Sequence, residues 1–254
     1  MLLLFDIDGT LLIGAADAHR DAIYEALRVV HGVTEPERRG MEVAGRTDAD
    51  ISRTLLVHAG VPAERIDARA DDVRVAACAA YGKLCPEDLS AHVAPGMPEL
   101  LERLAAREDT LLALVTGNYE PIARLKLRRA GIGHFFATGQ GGFGSDHEDR
   151  SMLPGIARRR AGEAGGEPWP QARTAVIGDT PRDIACARAD GVRVAAIATG
   201  PFEPDGLRAA DAVARDTTEL GAVLERWLAA GTSTRGRKFC VESRDARPGS
   251  DVRR

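Results

Sequence analysis

The run Leu2-Leu3-Leu4-Phe5 leads straight into Asp6-Ile7-Asp8-Gly9-Thr10, so an unbroken apolar stretch ends in two carboxylates two residues apart. A short run with no polar side chain fits a strand covered on both faces, as in parallel sheets enclosed by helices. Such sheets gather their chemistry at the carboxyl ends of the strands. Residues two apart on an extended chain share a face, so Asp6 and Asp8 point together if extension persists, and crowded carboxylates require a cation or a shared proton. The competing reading is a turn in which both aspartates cap backbone amides.

Two further apolar runs end in the same manner. Thr110 to Asn118, TLLALVTGN, reads as a strand that puts Thr116 where Asp6 stands on its own strand, with Gly117 and Asn118 following. Ala175-Val176-Ile177-Gly178 ends in Asp179-Thr180-Pro181-Arg182-Asp183. Between them Arg150 closes the run Ser145 to Arg150, just ahead of a helical pattern that begins near Met152. Three polar strand ends and one cation make up a pocket suited to a phosphate group.

In this order the motifs resemble the haloacid dehalogenase superfamily: DxDGT, a strand ending in Thr, a Lys or Arg, then GDxxxD, spread over positions 6 to 183. The likeness is to its phosphoglycolate phosphatase-like members, and it covers roughly residues 1 to 230. The resemblance implies an α/β fold, a Rossmann-like parallel core with an inserted helical cap of the C1 type. It implies Asp6 as nucleophile, Asp8 as general acid and base, Thr116 with Gly117 and Asn118 as phosphate binders, and Arg150 as charge stabiliser. It also implies a magnesium site formed by Asp6, the backbone carbonyl of Asp8, Asp179 and Asp183. Many relatives carry a lysine followed by proline as the third motif; no lysine lies between Lys126 and the fourth motif here, so Arg150 takes that place. Gly45-Arg46-Thr47-Asp48 resembles a cap loop that faces the active site, so Arg46 is expected to bind the remote part of the substrate.

The chemistry calls for such a set on its own terms. A carboxylate that attacks phosphorus splits one hard displacement into two, and a second carboxylate protonates the leaving oxygen and then activates water. The transferred group is anionic, so magnesium and a cationic side chain must offset the repulsion. A departing halide needs no proton, so Asp8 favours phosphate chemistry over dehalogenation. The expected reaction is therefore magnesium-dependent hydrolysis of a small phosphomonoester, phosphoglycolate-like or a sugar phosphate, through an aspartyl phosphate. A β-phosphoglucomutase-like phosphomutase is the alternative within this chemistry. A non-catalytic interaction protein on the same fold is the alternative from another class, and the presence of Asp6, Asp8, Thr116, Asp179 and Asp183 weighs against it.

Along the chain, residues 1–14 and 89–230 read as the core, 15–88 as the helical cap and 231–254 as a disordered tail. Ile23, Leu27 and Val30, then Ile51, Leu55 and Leu56, fall at helical spacing, and Ile66 to Tyr81 is alanine-rich and helical, giving a four-helix-like insert. Pro95-Gly96-Met97-Pro98 marks the return to the core. Strands are then expected near 110–116, 134–138, 174–178 and 193–198, with helices near 99–106, 121–130, 152–162 and 182–189, and helical pieces over 204–230. Strands alternating with helices and joined by right-handed crossovers form a doubly wound sheet. The tail holds seven basic and three acidic side chains with few large apolar ones, too little for a core.

The remaining features exclude more than they add. A formal charge of −4 argues against nucleic acid as a partner and favours a small molecule, which the resemblance makes a phosphorylated metabolite. No apolar run is long enough for a membrane span, and Met1 to Phe5 is too short for a signal peptide. Cys78, Cys85, Cys186 and Cys240 lack disulfide or zinc spacing and read as reduced thiols of a cytoplasmic protein. Gly139-Gln140-Gly141-Gly142-Phe143-Gly144 fits a dinucleotide fingerprint, but an acidic loop follows it where a helix would have to open. His58, His92, His134 and His147 lack metal-ligand spacing. Thr47 or Asp48 is expected to cap the helix that follows. The sequence carries no sign of oligomeric state.

Overall fold

The computed structural model describes residues 1–232; residues 233–254, with Cys240 and nearly all of the expected disordered tail, lie outside the described residues. Strand β1 (Leu2–Phe5) is followed by four helices, α1 (Asp17–His31), α2 (Asp48–His58), α3 (Ala63–Ala68) and α4 (Ala70–Leu84). Strands and helices then alternate: α5 (Met97–Ala105), β2 (Leu111–Thr116), α6 (Glu120–Arg129), β3 (Gly142–Phe143), α7 (Leu153–Gly162), β4 (Thr174–Gly178), α8 (Pro181–Ala189) and β5 (Arg193–Ile197). A short β6 (Ala212–Ala214) and the helix α9 (Thr217–Thr232) complete the described chain.

The six strands form one sheet in the order β3-β2-β1-β4-β5-β6, and every pairing is parallel. Both neighbours of β1 are fixed by long crossovers: Phe5 stands opposite Leu114 on one side and Ile177 on the other. Side chains alternate across the sheet as period two requires. Leu3 and Phe5 join Leu112, Leu114, Ala175 and Ile177 on the face that meets α1, α5, α6 and α9. Leu2 and Leu4 join Ala113, Val115, Val176 and Val194 on the opposite face with α7 and α8. The strand order reverses between β1 and β4, and an open α/β sheet leaves its binding crevice at such a point.

The helical segment is built on the same logic. The inward stripe of α1 runs through His19, Ala22, Ile23, Ala26, Leu27 and Val30, and α1 ends at Gly32 in the left-handed conformation. It packs along α4 through Val73, Ala77 and Tyr81. The expected helix over Ile66 to Tyr81 is broken at Arg69, which leaves helical geometry and sends its guanidinium to the Val30 carbonyl (2.6 Å).

Two expectations fail. The strand expected near 134–138 is absent: Gly133–Phe135 is a single tight turn, and the edge strand is β3, later in the chain. Only Phe136 of that stretch is buried, while His134, Ala137 and Thr138 are exposed, and the Phe136 carbonyl is taken by the Arg124 guanidinium (2.8 Å). The second is β6, which falls where helical pieces were expected because Ala212 to Ala214 extend the ladder beyond β5. Among the described residues no helix is long and apolar enough to cross a membrane, and Cys78, Cys85 and Cys186 are free thiols.

Candidate active site

Asp6 continues the ladder one residue past β1, its amide donating to the Ile177 carbonyl (2.9 Å). The chain then turns, with the Ile7 carbonyl accepting from the amides of Leu11 and Leu12 (2.9 Å each). Extension therefore does not persist from Asp6 to Asp8, and the two carboxylates turn to different cations. Gly9 makes the turn possible: its φ is 89°, and a Cβ there would overlap the Asp179 carboxylate. Thr10 Oγ1 donates to Asp179 Oδ1 (2.9 Å), tying the end of β1 to the end of β4.

Asp6 faces Arg150, whose Nη2 lies 3.2 Å from Asp6 Oδ1 and also donates to Asp183 Oδ1. Arg150 is buried, and its Nε has no partner among the described residues. The other oxygen of Asp183 accepts from the Thr180 amide (3.0 Å) and hydroxyl (2.7 Å), forming the capping box of α8. Both Asp183 oxygens are thus engaged, and Asp183 stands behind the cavity wall rather than on it.

Asp6, Asp179 and Asp183 each present an oxygen within 4.8 Å of the others. Asp179 Oδ2 is buried with no hydrogen-bond partner among the described residues. Gly9 and Gly200 flank it, and a Cβ on either would fill the space beside it. Burial pushes the Asp6 carboxyl up to about 7, although Arg150 opposes the rise, and burial with the nearby Asp6 charge pushes Asp179 up to about 8. A carboxylate-rich corner with one buried oxygen left unpartnered, Asp179 Oδ2, suits a hard divalent cation such as magnesium.

Asp8 belongs to a second network. Both of its oxygens accept from Lys126 Nζ (2.7 and 2.6 Å), and Oδ2 also accepts from Asn118 Nδ2 (3.0 Å). Burial acts upward on its pKa and is the largest single influence, but Lys126, His19 and the Asn118 hydrogen bond together outweigh it and hold Asp8 below the ordinary carboxylate value. Lys126 has no exposed surface and also donates to His19 Nδ1 (3.1 Å). A lysine can only donate, so Nδ1 accepts and the proton of His19 sits on Nε2, 3.0 Å from Asp48 Oδ2. The same Asp48 oxygen accepts from the Tyr119 amide (2.7 Å). A continuous chain thus runs from Asp8 to the first turn of α2.

Reading the sequence missed Lys126, His19 and Asp48 as site residues. The signal was a charge on an apolar face: Lys126 shares the buried side of α6 with Ile122, Ala123 and Leu127, and His19 opens the inward stripe of α1. Thr47, not Asp48, caps α2, accepting from the Asp50 amide (3.1 Å). The other expected positions converge. Asp6, Asp8, Arg46, Thr116, Gly117, Asn118, Arg150 and Asp179 line a single cavity of about 410 Å³. Thr116 Oγ1 accepts from the Asn118 amide (3.3 Å). Gly117 permits a close approach, because a Cβ there would strike the Arg46 carbonyl. Arg46 reaches Asp50 (2.9 Å) and Thr54 (3.2 Å). His58, His92, His134 and His147 lie outside the cavity.

The helical segment is seated on the strand ends by main-chain oxygens. The Asp48 amide donates to the Gly117 carbonyl (2.8 Å), the Thr47 hydroxyl to the Glu148 carbonyl (2.6 Å), and the Arg182 guanidinium to the Ala44 carbonyl (2.7 Å).

Residues 3–188 match the family model described as haloacid dehalogenase-like hydrolase. A search of curated proteins gives no match. Among solved structures the chain is similar to a hydrolase from Pseudomonas syringae, with 21% identity, a TM-score of 0.62, and 89% of this chain and 98% of that one covered. It is similar to a predicted phosphoglycolate phosphatase from Haemophilus somnus, with 19% identity, a TM-score of 0.62 and coverage of 88% and 97%. It is also similar to a β-phosphoglucomutase from Clostridium difficile, with 14% identity, a TM-score of 0.60 and coverage of 91% and 98%. At these identities the likeness is one of fold.

Proposed function

This chain belongs to the haloacid dehalogenase-like hydrolases, and we propose that it hydrolyses a small phosphomonoester through Asp6 and Asp8. The observation that carries the reading is that the two carboxylates line one cavity but are drawn to different cations, Asp6 to Arg150 on the cavity wall and Asp8 to the buried Lys126 behind it. Carboxylates held in different electrostatic surroundings are suited to different tasks. Asp6, at the end of the switch-point strand, attacks phosphorus and forms an aspartyl phosphate. Arg150 offsets the charge that gathers between nucleophile and phosphoryl oxygens, and Asp183 holds Arg150 in place. The Thr116 hydroxyl and the amides at Gly117 and Asn118 bind the phosphoryl oxygens. Asp8 in its protonated form serves the departing alcohol oxygen, and as the carboxylate that Lys126 favours it draws a proton from the attacking water.

Asp6, Asp179 and the Asp8 carbonyl would hold magnesium, with Asp183 orienting its surroundings; when bound, the ion supplies charge neutralisation for the anionic group transferred. Helices α1 to α4 act as a cap over the core, and Arg46, held by Asp50 and Thr54, forms part of the cavity wall that the cap contributes. The test is phosphate release from a panel of phosphomonoesters with and without magnesium, beside Asp6→Asn. Release that requires both the ion and Asp6 supports the reading. Release undiminished in Asp6→Asn overturns it, and phosphoryl exchange between two sugar positions without release assigns a phosphomutase instead.

A further inference from the structure

We propose that the alcohol portion of the substrate is apolar, an alkyl or aryl group, rather than a sugar or a glycolate; this inference rests on the phosphomonoesterase reading of the same cavity. Away from Asp6 and Arg150, the walls of the 410 Å³ space are formed by Ile13, Ile23, Tyr24, Val43, Ile51 and Leu55, drawn from the loop after β1, α1, the loop before α2, and α2.

Most polar side chains that share those walls are already engaged at least in part, and a buried acceptor left without a partner among the described residues, Asn118 Oδ1, stands beside Asp8 at the phosphate end. His19 uses both ring nitrogens on Lys126 and Asp48. Arg46 is held by Asp50 and Thr54, and Arg20 by Asp17 and Asp21. Thr199 Oγ1 donates to the Gly9 carbonyl (2.6 Å), and the Tyr24 hydroxyl accepts from Arg38 (3.1 Å). Arg38 meets no carboxylate among the described residues and is exposed, so its charge stands in solvent at the margin of the cavity.

A sugar phosphate brings several hydroxyls into this space, more than the few polar atoms there with hydrogen-bonding capacity left, so some lose water without gaining a partner. A glycolate carboxylate is separated from the phosphate oxygen by one carbon, which leaves it near Asp6 and Asp8 rather than at Arg38. An alkyl or aryl group meets none of these costs and gains about fourfold in binding for each methylene buried.

The experiment pairs turnover with binding. The kcat/KM values of methyl, butyl, hexyl and phenyl phosphate are compared with those of glycerol 1-phosphate, glucose 6-phosphate and phosphoglycolate. Binding of the matching alkylphosphonates to the magnesium-loaded protein is followed by calorimetry. The expected result is a rise of about fourfold per methylene in both series, hexyl phosphate preferred to glucose 6-phosphate by about a hundredfold, and a flattened gradient in Ile51→Asn. Val43→Thr, on the loop, gives the same comparison if Ile51→Asn does not fold. A phosphonate series with no gradient, or a preference for glucose 6-phosphate or phosphoglycolate over hexyl phosphate, overturns the proposal. A binding gradient without hydrolysis of any ester keeps the apolar subsite and removes the hydrolase reading.

Discussion

A lysine with no exposed surface, within hydrogen-bond reach of a carboxylate and a neutral histidine nitrogen, is not a solvated charge. Lys126→Met removes the cation that holds Asp8 low, so the Asp8 pKa should rise and the acid limb of the rate profile should move to higher pH, with turnover down by about ten- to a hundredfold. A pH profile unchanged from the parent would refute this role for Lys126. Arg150 is the sterner case, because Arg150→Ala leaves Asp6 and Asp183 buried without their cation. A loss of about 3–5 kcal/mol is expected in urea unfolding, with much of it recovered in Arg150→Lys, although one ammonium spans two carboxylates less well than a guanidinium. Unchanged stability of Arg150→Ala would show that the pair is compensated elsewhere. The contrast between these two cations explains what could be read beforehand. Asp6, Thr116 and Asp179 end apolar strands, where a polar residue stands out. Lys126 sits among Arg124, Arg128 and Arg129, so its charge resembles a solvated stripe, and only its spacing from Ile122 marks it as inward.

At the scale of elements, the loop before α2 is fitted to the first turn of α8. Gly45 has a φ of 71°, and a Cβ there would overlap the Thr180 hydroxyl and the Arg182 side chain. Gly45→Ala should lift this loop, displace Arg46 from the cavity and reduce kcat/KM by at least about tenfold, with a strain of about 1 kcal/mol in the folded state. Measurement of KM and kcat for Gly45→Ala decides it; parental values for both would mean that the loop tolerates the extra atom. The long central strands were legible because Leu2 to Phe5, Leu112 to Val115 and Ala175 to Ile177 are buried on both faces. β3 and β6 were not, because two or three residues carry no period, and their extension is imposed by the exposed ladders of β2 and β5.

For the molecule as a whole, the crowded carboxylates make stability depend on pH and on cations together. Asp6 and Asp179 keep protons in the folded chain, between about 4 and about 8, that the unfolded chain has released. The folded state therefore binds more protons over that interval, and stability falls as pH rises through it. Asp8 has the opposite sign, adding stability above the ordinary carboxylate range that is lost in acid. In protein stripped of metal, Tm should be lower at pH 8.5 than at pH 6 by about 3 °C or more. Millimolar magnesium should restore it at pH 8.5 with much less effect at pH 5, because protons and cation compete for the same oxygens. A thermal scan in which Tm climbs across that range and ignores magnesium would refute the assignment of that corner. Finally, the contacts that seat the helices end on the carbonyls of Gly117, Glu148 and Ala44 and use the Asp48 amide, Thr47 and Arg182, none of which is among the apolar wall residues. Drift at Ile13, Val43 or Ile51 can remodel what the cavity accepts while the closure itself is inherited intact, so the clientele of this scaffold is open to retuning one wall residue at a time.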